Sequence, residues 1–247
     1  MSIRSFIRGV AQRYGYDIVK YTLQSAESTR MMKLFHDHRI SLVFDIGANA
    51  GQYTHELRTM GYRGRIVSCE PLTSAFAVIQ EASKHDPLWT CVQTAVGNAP
   101  GSATINIAGN SQSSSLLPMR SEHTEASPDS AYRATEQVKV TTVDHLFDEF
   151  VKKSDVVFAK IDTQGYERFV LEGARNSIGS IEGIELEMSF VPLYEGGWLF
   201  SDLLHFAENE GFVLTSLRPM FYHPVSGRVL QGDGTFFRPP STDTVTS

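Results

Sequence analysis

The chain has 247 residues, 41% apolar and 11% aromatic, enough to bury one sizeable core without disulfides or metals. That composition excludes disordered, collagen-like and disulfide-stapled classes. With 22 Lys and Arg against 28 Asp and Glu the formal charge is -6, which opposes a broad grip on nucleic acid.

The charge is uneven along the chain. Residues 1–40 hold seven Lys/Arg and three Asp/Glu, net +4, which leaves -10 for the rest. Within residues 3–20, Ile3, Phe6, Ile7, Val10 and Tyr14 recur at helical spacing with arginines between them, and this predicts an amphipathic helix. We read residues 1–40 as a helical arm that packs on the domain. Its basic character offers a second role, salt-sensitive contact with an anionic membrane surface. Arg4, Arg8 and Arg13 break the apolar stretches and no run of 18 apolar residues exists, so neither a membrane span nor a cleavable signal is expected. Two cysteines, Cys69 and Cys91, form no framework, and a reducing, cytoplasmic setting is the simpler expectation.

From residue 41 apolar runs alternate with helical segments, the pattern of a parallel sheet covered on both faces. Residues 42–46 read as a buried strand, 53–59 as a helix and 65–70 as the next strand. A helix over 73–84 has Thr73 or Ser74 as its natural cap, and a third strand follows over 88–96. Residues 109–135 are rich in serine and lack periodicity, so a long functional loop is expected there. Strands over 156–161 and 184–188 flank a helix over 166–174. Then come a helix over 200–209, a strand over 212–217, a turn near Pro219 and a last strand over 235–237. The domain is set at residues 41–238, with a polar, frayed tail at 239–247.

The strongest local signal is VFDIGANAGQYTHEL, where a strand runs through a glycine-bearing turn into a helix. Gly47 and Gly51 let the backbone approach a ligand, and Asn49 tolerates a left-handed turn. Such a turn lies where open α/β sheets bind ligands, beside free helical N–H groups. Its Gly-x-x-x-Gly spacing departs from the dinucleotide fingerprint. Asp45 before the turn repels phosphate and suits an ammonium. Nineteen residues after Gly51 stands Glu70, closing a strand that Pro71 stops, where a carboxylate accepts both hydroxyls of a ribose. Together these residues suggest a nucleoside half and an amino-acid half of one ligand.

DIGANAGQY, CEP, TAVGNAPGSATI, SSSL, VTTVDHL and KIDTQGYERFVLEGA followed by IELE resemble the FkbM family of S-adenosylmethionine-dependent methyltransferases, over residues 41 to about 195. The resemblance implies an α/β, Rossmann-like class I methyltransferase fold: a seven-stranded sheet in the order 3-2-1-4-5-7-6, last strand antiparallel, helices on both faces. It implies S-adenosyl-L-methionine as cofactor and methyl transfer to a hydroxyl oxygen. It places Asp45, Gly47, Asn49 and Gly51 in the cofactor loop, Glu70 on the ribose, and adenine contacts around Thr94 and Ala95. By the same analogy the acceptor is a small molecule or glycolipid, with a sugar hydroxyl favoured over a polyketide hydroxyl.

Two strand-end acids stand where the acceptor would lie. Asp162 closes the strand of KIDTQGYE, and Glu187 closes IELEMS with Glu185 on its side of the strand. They would orient or deprotonate a hydroxyl, or hold Mg²⁺. Alternatively Asp162 caps the following helix and Glu187 bonds to backbone amides. None of the eight histidines sits in a motif, and G-x-S-x-G is absent, which disfavours hydrolase chemistry. Tyr132, Tyr194, Gly196, Gly197, Trp198, Phe221 and Tyr222 are candidates for an aromatic pocket wall. An NAD-dependent oxidoreductase and a non-catalytic binding module are the competing readings.

Overall fold

The computed structural model describes residues 3–16, 18, 22–23 and 26–239; the rest of the arm and nearly all of the 239–247 tail lie outside the described residues. Two helices lead in, α1 (Ile3–Arg13) and α2 (Glu27–Asp37). Then follow β1 (Leu42–Ile46), α3 (Gln52–Met60), β2 (Arg65–Cys69), α4 (Thr73–Ser83), β3 (Trp89–Val92), β4 (Ala95–Val96) and β5 (Gly101–Ala108). After α5 (Ser121–Ala126) come β6 (Tyr132–Thr141), α6 (Val143–Phe150), β7 (Val157–Ile161), α7 (Glu167–Glu172) and β8 (Ile181–Ser189). The chain closes with α8 (Phe200–Asn209), β9 (Val213–Tyr222) and β10 (Val229–Phe237).

Seven strands form one sheet in the order β3-β2-β1-β7-β8-β10-β9. The last strand, β10, runs antiparallel to both β8 and β9. This is the expected order with the expected reversed strand. Every residue of β1 is buried, because helices cover both faces. Leu42, Phe44 and Ile46 point into a core shared with Val143 and Leu146 of α6, Val170 of α7 and Leu203 of α8. Val43, one step out of phase, points the other way, onto Met31 and Phe35 of α2, Leu57 of α3 and Ile79 of α4. The period of two thus reads directly as two cores.

Several expectations are corrected. The run over 88–96 is two strands: β3 ends at Val92, and β4 joins a small second sheet, β4-β6-β5. Thr94 marks the change of sheet, its hydroxyl donating to the Lys139 carbonyl at 3.3 Å. Residues 109–135 are only partly loop, since they contain α5 and the start of β6. Neither Thr73 nor Ser74 caps α4; Leu72 holds that position without a side-chain bond. The Thr73 N–H instead donates to Glu136 of β6 at 3.1 Å. Pro219 makes no turn. It lies inside β9, opposite Gly232 beside an irregularity, and an edge strand tolerates the missing donor.

Candidate active site

Strand register stacks two polar rows at the carboxyl edge of the sheet. In the lower row Asp45 pairs with Ser68 on one side and Lys160 on the other, Lys160 with Glu185, and Glu185 with Thr235. All point to the face covered by α3. Two residues further on, the same period raises Gly47, Glu70, Asp162 and Glu187 to the rim, with Asp233 opposite Glu187 and Arg218 opposite Asp233. A cavity of about 330 Å³ opens over this rim.

One half of the cavity is the glycine turn. Gly47 has φ 82°, and a Cβ there would stand 1.9 Å from the Asp162 carbonyl oxygen, so only glycine lets β1 and β7 end side by side. Asn49, at φ 46°, donates its N–H to Glu70 Oε2 at 2.8 Å, and the Leu72 N–H donates to Oε1 at 2.8 Å. Glu70 therefore ties the first turn to the second, and each oxygen keeps acceptor capacity for a ligand hydroxyl. Burial pushes its carboxyl up to about 7, against the two N–H bonds that favour the ionised form. Gly47, Asn49, Glu70, Thr94 and Ala95 all line the cavity, beside an apolar wall of Leu72, Val96, Ile105 and Leu116.

Asp45 and Gly51 do not line it. Asp45 is fully buried, its Oδ2 accepting from Thr54 at 3.2 Å and Ser68 at 3.1 Å. Burial raises its carboxyl, and Lys160 opposes that rise. The ammonium it suits belongs to the protein: Lys160 Nζ, 3.6 Å away. Gly51, at φ 84°, serves packing, since a Cβ there would meet the Trp89 ring at 2.9 Å.

The other half of the cavity is acidic. Gln164, held at φ 55°, spans Asp162, just after β7, and Glu187, which lies inside β8 and does not close it: its Nε2 donates to Asp162 at 2.8 Å and to both oxygens of Glu187 at 2.9 and 3.0 Å. The Tyr194 hydroxyl donates to Gln164 Oε1 at 2.7 Å, which fixes the amide's orientation. Ser115 donates to the Gln164 carbonyl at 2.7 Å. Burial, then the charges of Asp162, Glu167 and Asp233, push Glu187 well above the carboxylate range. Glu185 is pushed up to about 8 by burial and then by Asp233, and burial likewise raises Asp233 although Arg218 lies 2.9 Å away. The Tyr53 hydroxyl is buried without a hydrogen-bond partner.

Both capping alternatives fail. Position N-cap of α7 belongs to Tyr166, and Glu167 accepts from the Thr163 and Gly165 N–H groups at 2.8 and 3.2 Å. Glu187 is bonded by a side-chain amide. Among the described residues no group of three His, Cys, Asp or Glu is arranged to hold a metal; beside Asp162 the cation is Lys160, at 3.2 Å. The expected aromatic wall is also displaced: Tyr132, Tyr194, Gly196, Gly197, Trp198, Phe221 and Tyr222 are absent from the lining, where the aromatics are Tyr53 and Tyr166. Of the serine-rich stretch, Ser111, Ser114 and Ser115 reach the cavity. His123 is buried against Ser130, at 2.8 Å.

Sequence reasoning missed Lys160, Gln164, Tyr53, Arg218 and Asp233. The signal for Lys160 was its place two residues before Asp162, the same-side spacing already noted for Glu185 and Glu187.

A seven-stranded sheet in this order, with a glycine turn after β1 and a carboxylate closing β2, defines the class of S-adenosylmethionine-dependent methyltransferases of Rossmann-like fold. The Methyltransferase FkbM domain matches residues 45–214, more than half of the chain, and the chain belongs to that family. A search of characterised proteins by sequence returns no match. Among solved structures, a putative RNA methyltransferase from Pyrococcus horikoshii is similar at 13% identity and TM-score 0.43, covering 85% of this chain and 83% of its own. A precorrin-6y C5,15-methyltransferase from Geobacter metallireducens gives 12%, 0.43, 90% and 93%. Fibrillarin from Aeropyrum pernix, with natively bound S-adenosyl-L-methionine, gives 8%, 0.43, 80% and 66%. Among the described residues no helix is long and apolar enough to cross a membrane.

Proposed function

We propose that the protein is an O-methyltransferase whose acceptor is a sugar hydroxyl of a glycolipid or glycosylated natural product. The observation that carries this reading is the pair of carboxylates, Asp162 and Glu187, joined by one amide beside the cofactor turn. The residues present suit S-adenosylmethionine. Glu70 offers two oxygens to a ribose, Gly47 and Asn49 offer a close backbone, and the wall around Leu72, Val96 and Ile105 with Thr94 and Ala95 suits a flat purine. When bound, that cofactor would supply an electrophilic methyl on a sulfonium for an acceptor oxygen.

The protein's own contribution is mostly placement, worth about 7 to 11 kcal/mol at the best effective molarities. Asp162 would accept the proton of the acceptor hydroxyl. Glu187, whose carboxyl burial pushes well above the carboxylate range, would meet a neighbouring hydroxyl. The acidic rim favours a polyol, because each sugar hydroxyl brings a donor to an acceptor oxygen. A polyketide flank would bury those oxygens without partners.

The test is tritiated S-adenosylmethionine with the polar-lipid and glycoside fractions of source cells. Label is expected in a sugar methyl ether, and Asp162→Asn should lower its rate by about 10²- to 10⁴-fold. Label on nitrogen, carbon or nucleic acid would overturn the reading.

A further inference from the structure

The strand-end motif of β1 begins with an aspartate that never reaches the cavity. Asp45 is 0% exposed, and its Oδ2 is committed to α3 and β2 through Thr54 and Ser68. Ser68 is itself fixed by the Trp89 indole N–H at 2.9 Å. The other oxygen, Oδ1, is buried without a hydrogen bond and faces Lys160 Nζ at 3.6 Å. Lys160 reaches on to Asp162 Oδ2 at 3.2 Å and lies 5.5 Å from the Tyr53 ring centroid, over its face. Its side chain is 12% exposed against 32% for Asp162. A rigid buried anchor is thus connected, through one cation, to the carboxylate that faces the cavity.

We propose that Lys160, anchored by Asp45, is a positioning residue for methyl transfer: its ammonium fixes the direction of the Asp162 carboxylate. This rests on the role given to Asp162 above. The geometry leaves Asp162 two restraints, Gln164 Nε2 on Oδ1 and Lys160 on Oδ2, which together define the plane of the carboxylate. Without Lys160 only the amide remains, and the amide is shared with Glu187. The charge around Asp162 is otherwise unfavourable to an anion. Asp45 on β1, Glu167 on α7, Glu187 on β8 and Asp233 on β10 all lie within electrostatic reach of it, while Arg218 is engaged by Asp233 and Glu27. A lone buried lysine would lose its proton; this one, between two carboxylates, is held above the ordinary lysine range in spite of its burial.

The test uses the full chain and needs no acceptor. The side-chain amide of Gln164, which donates to Asp162 and Glu187, reports the arrangement of the pair in ¹⁵N-labelled protein at one fixed pH. Lys160→Met should shift or broaden its signals, because the carboxylate is then held only by the shared amide, and Lys160→Arg should return them toward wild type. Asp45→Asn, which frees the ammonium from its anchor, should also move them, and this variant serves where Lys160→Met does not fold. A melting temperature that falls with unmoved Gln164 signals in Lys160→Met, or in Asp45→Asn if the first is unfolded, would reduce the pair to a structural brace and overturn the proposal. The reading beneath it fails separately: there Asp162→Asn would keep its methyl-transfer rate on the fractions named above while the Gln164 signals still behaved as stated.

Discussion

If Glu70 holds the ribose as proposed, cofactor affinity depends on pH in a direction that its surroundings set. In the free site its carboxyl is pushed up to about 7 by burial. Ribose hydroxyls need acceptors, and a carboxylate offers them where a protonated carboxyl offers an O–H in place of one. Binding therefore favours ionisation, so a proton is released near neutrality and affinity rises with pH through about 7, then levels. With a free-site value near 7 and a much lower value when occupied, affinity for S-adenosylhomocysteine should be about tenfold weaker at pH 6 than at pH 8. Calorimetry over that range, repeated in two buffers of different ionisation enthalpy, measures both the affinity and the proton. Glu70→Gln should bind at least about tenfold more weakly at pH 8, one charge-assisted contact being worth about 1.5 to 3 kcal/mol, and its pH dependence should vanish. Equal wild-type affinities at pH 6 and pH 8, with no buffer-dependent heat, would remove Glu70 from the ribose.

Two further predictions concern stability. Glu185 is pushed from an ordinary 4.5 to about 8, so the native state keeps a proton that the unfolded chain gives up, and stability is lost as pH rises through that window. Glu185→Gln cannot ionise in either state. Its melting temperature should exceed wild type at pH 8 by several degrees, at about 2 to 4 °C per kcal/mol for a domain of this size, and match it near pH 4; no gain at pH 8 would contradict the burial argument. At the glycine turn, Gly47→Ala should unfold or melt far below Gly51→Ala. The first Cβ meets a backbone oxygen at 1.9 Å, the second the edge of a Trp89 ring at 2.9 Å, and thermal melts in the reverse order would refute this.

How much of this was legible in the chain depends on which physical cause decided each feature. The parallel strands were readable because burial on both faces makes them apolar throughout, as in Leu42–Ile46. The helix Phe200–Asn209 was readable to the residue from its periodicity. The pairing of β5 with β6 was missed, although GSATINIA alternates as a half-buried strand should, because neither strand has an apolar run and their ends are separated by residues 109–131. Pro219 was misread for a related reason: a proline suggests a turn until the strand is known to lie at an edge. In the site, the rim residues Gly47, Glu70 and Asp162 were legible because each directly follows the end of a strand, whereas Glu187 lies inside β8, which runs on to Ser189. What the chain could not show was the direction of each side chain's bonds, and so the sequence gives no sign that Asp45 faces Lys160.

That partner was hidden for a definite reason. Lys160 stands in VFAKI, where four of five residues are buried, and a lysine in such a run reads as tolerated within a strand. Only the register Asp45↔Lys160↔Glu185 gives it a meaning. The same i, i+2 pattern recurs on neighbouring strands: Asp45 and Gly47, Ser68 and Glu70, Lys160 and Asp162, Glu185 and Glu187. In each pair the outer residue lies at the rim of the cavity, and the other lies one step deeper at the sheet edge. Polar residues spaced by two at the end of an apolar run therefore carry two layers of a site. Depth separates them only in part, since Asp45 and Ser68 are closed off from the cavity whereas Lys160 and Glu185 also reach its lining.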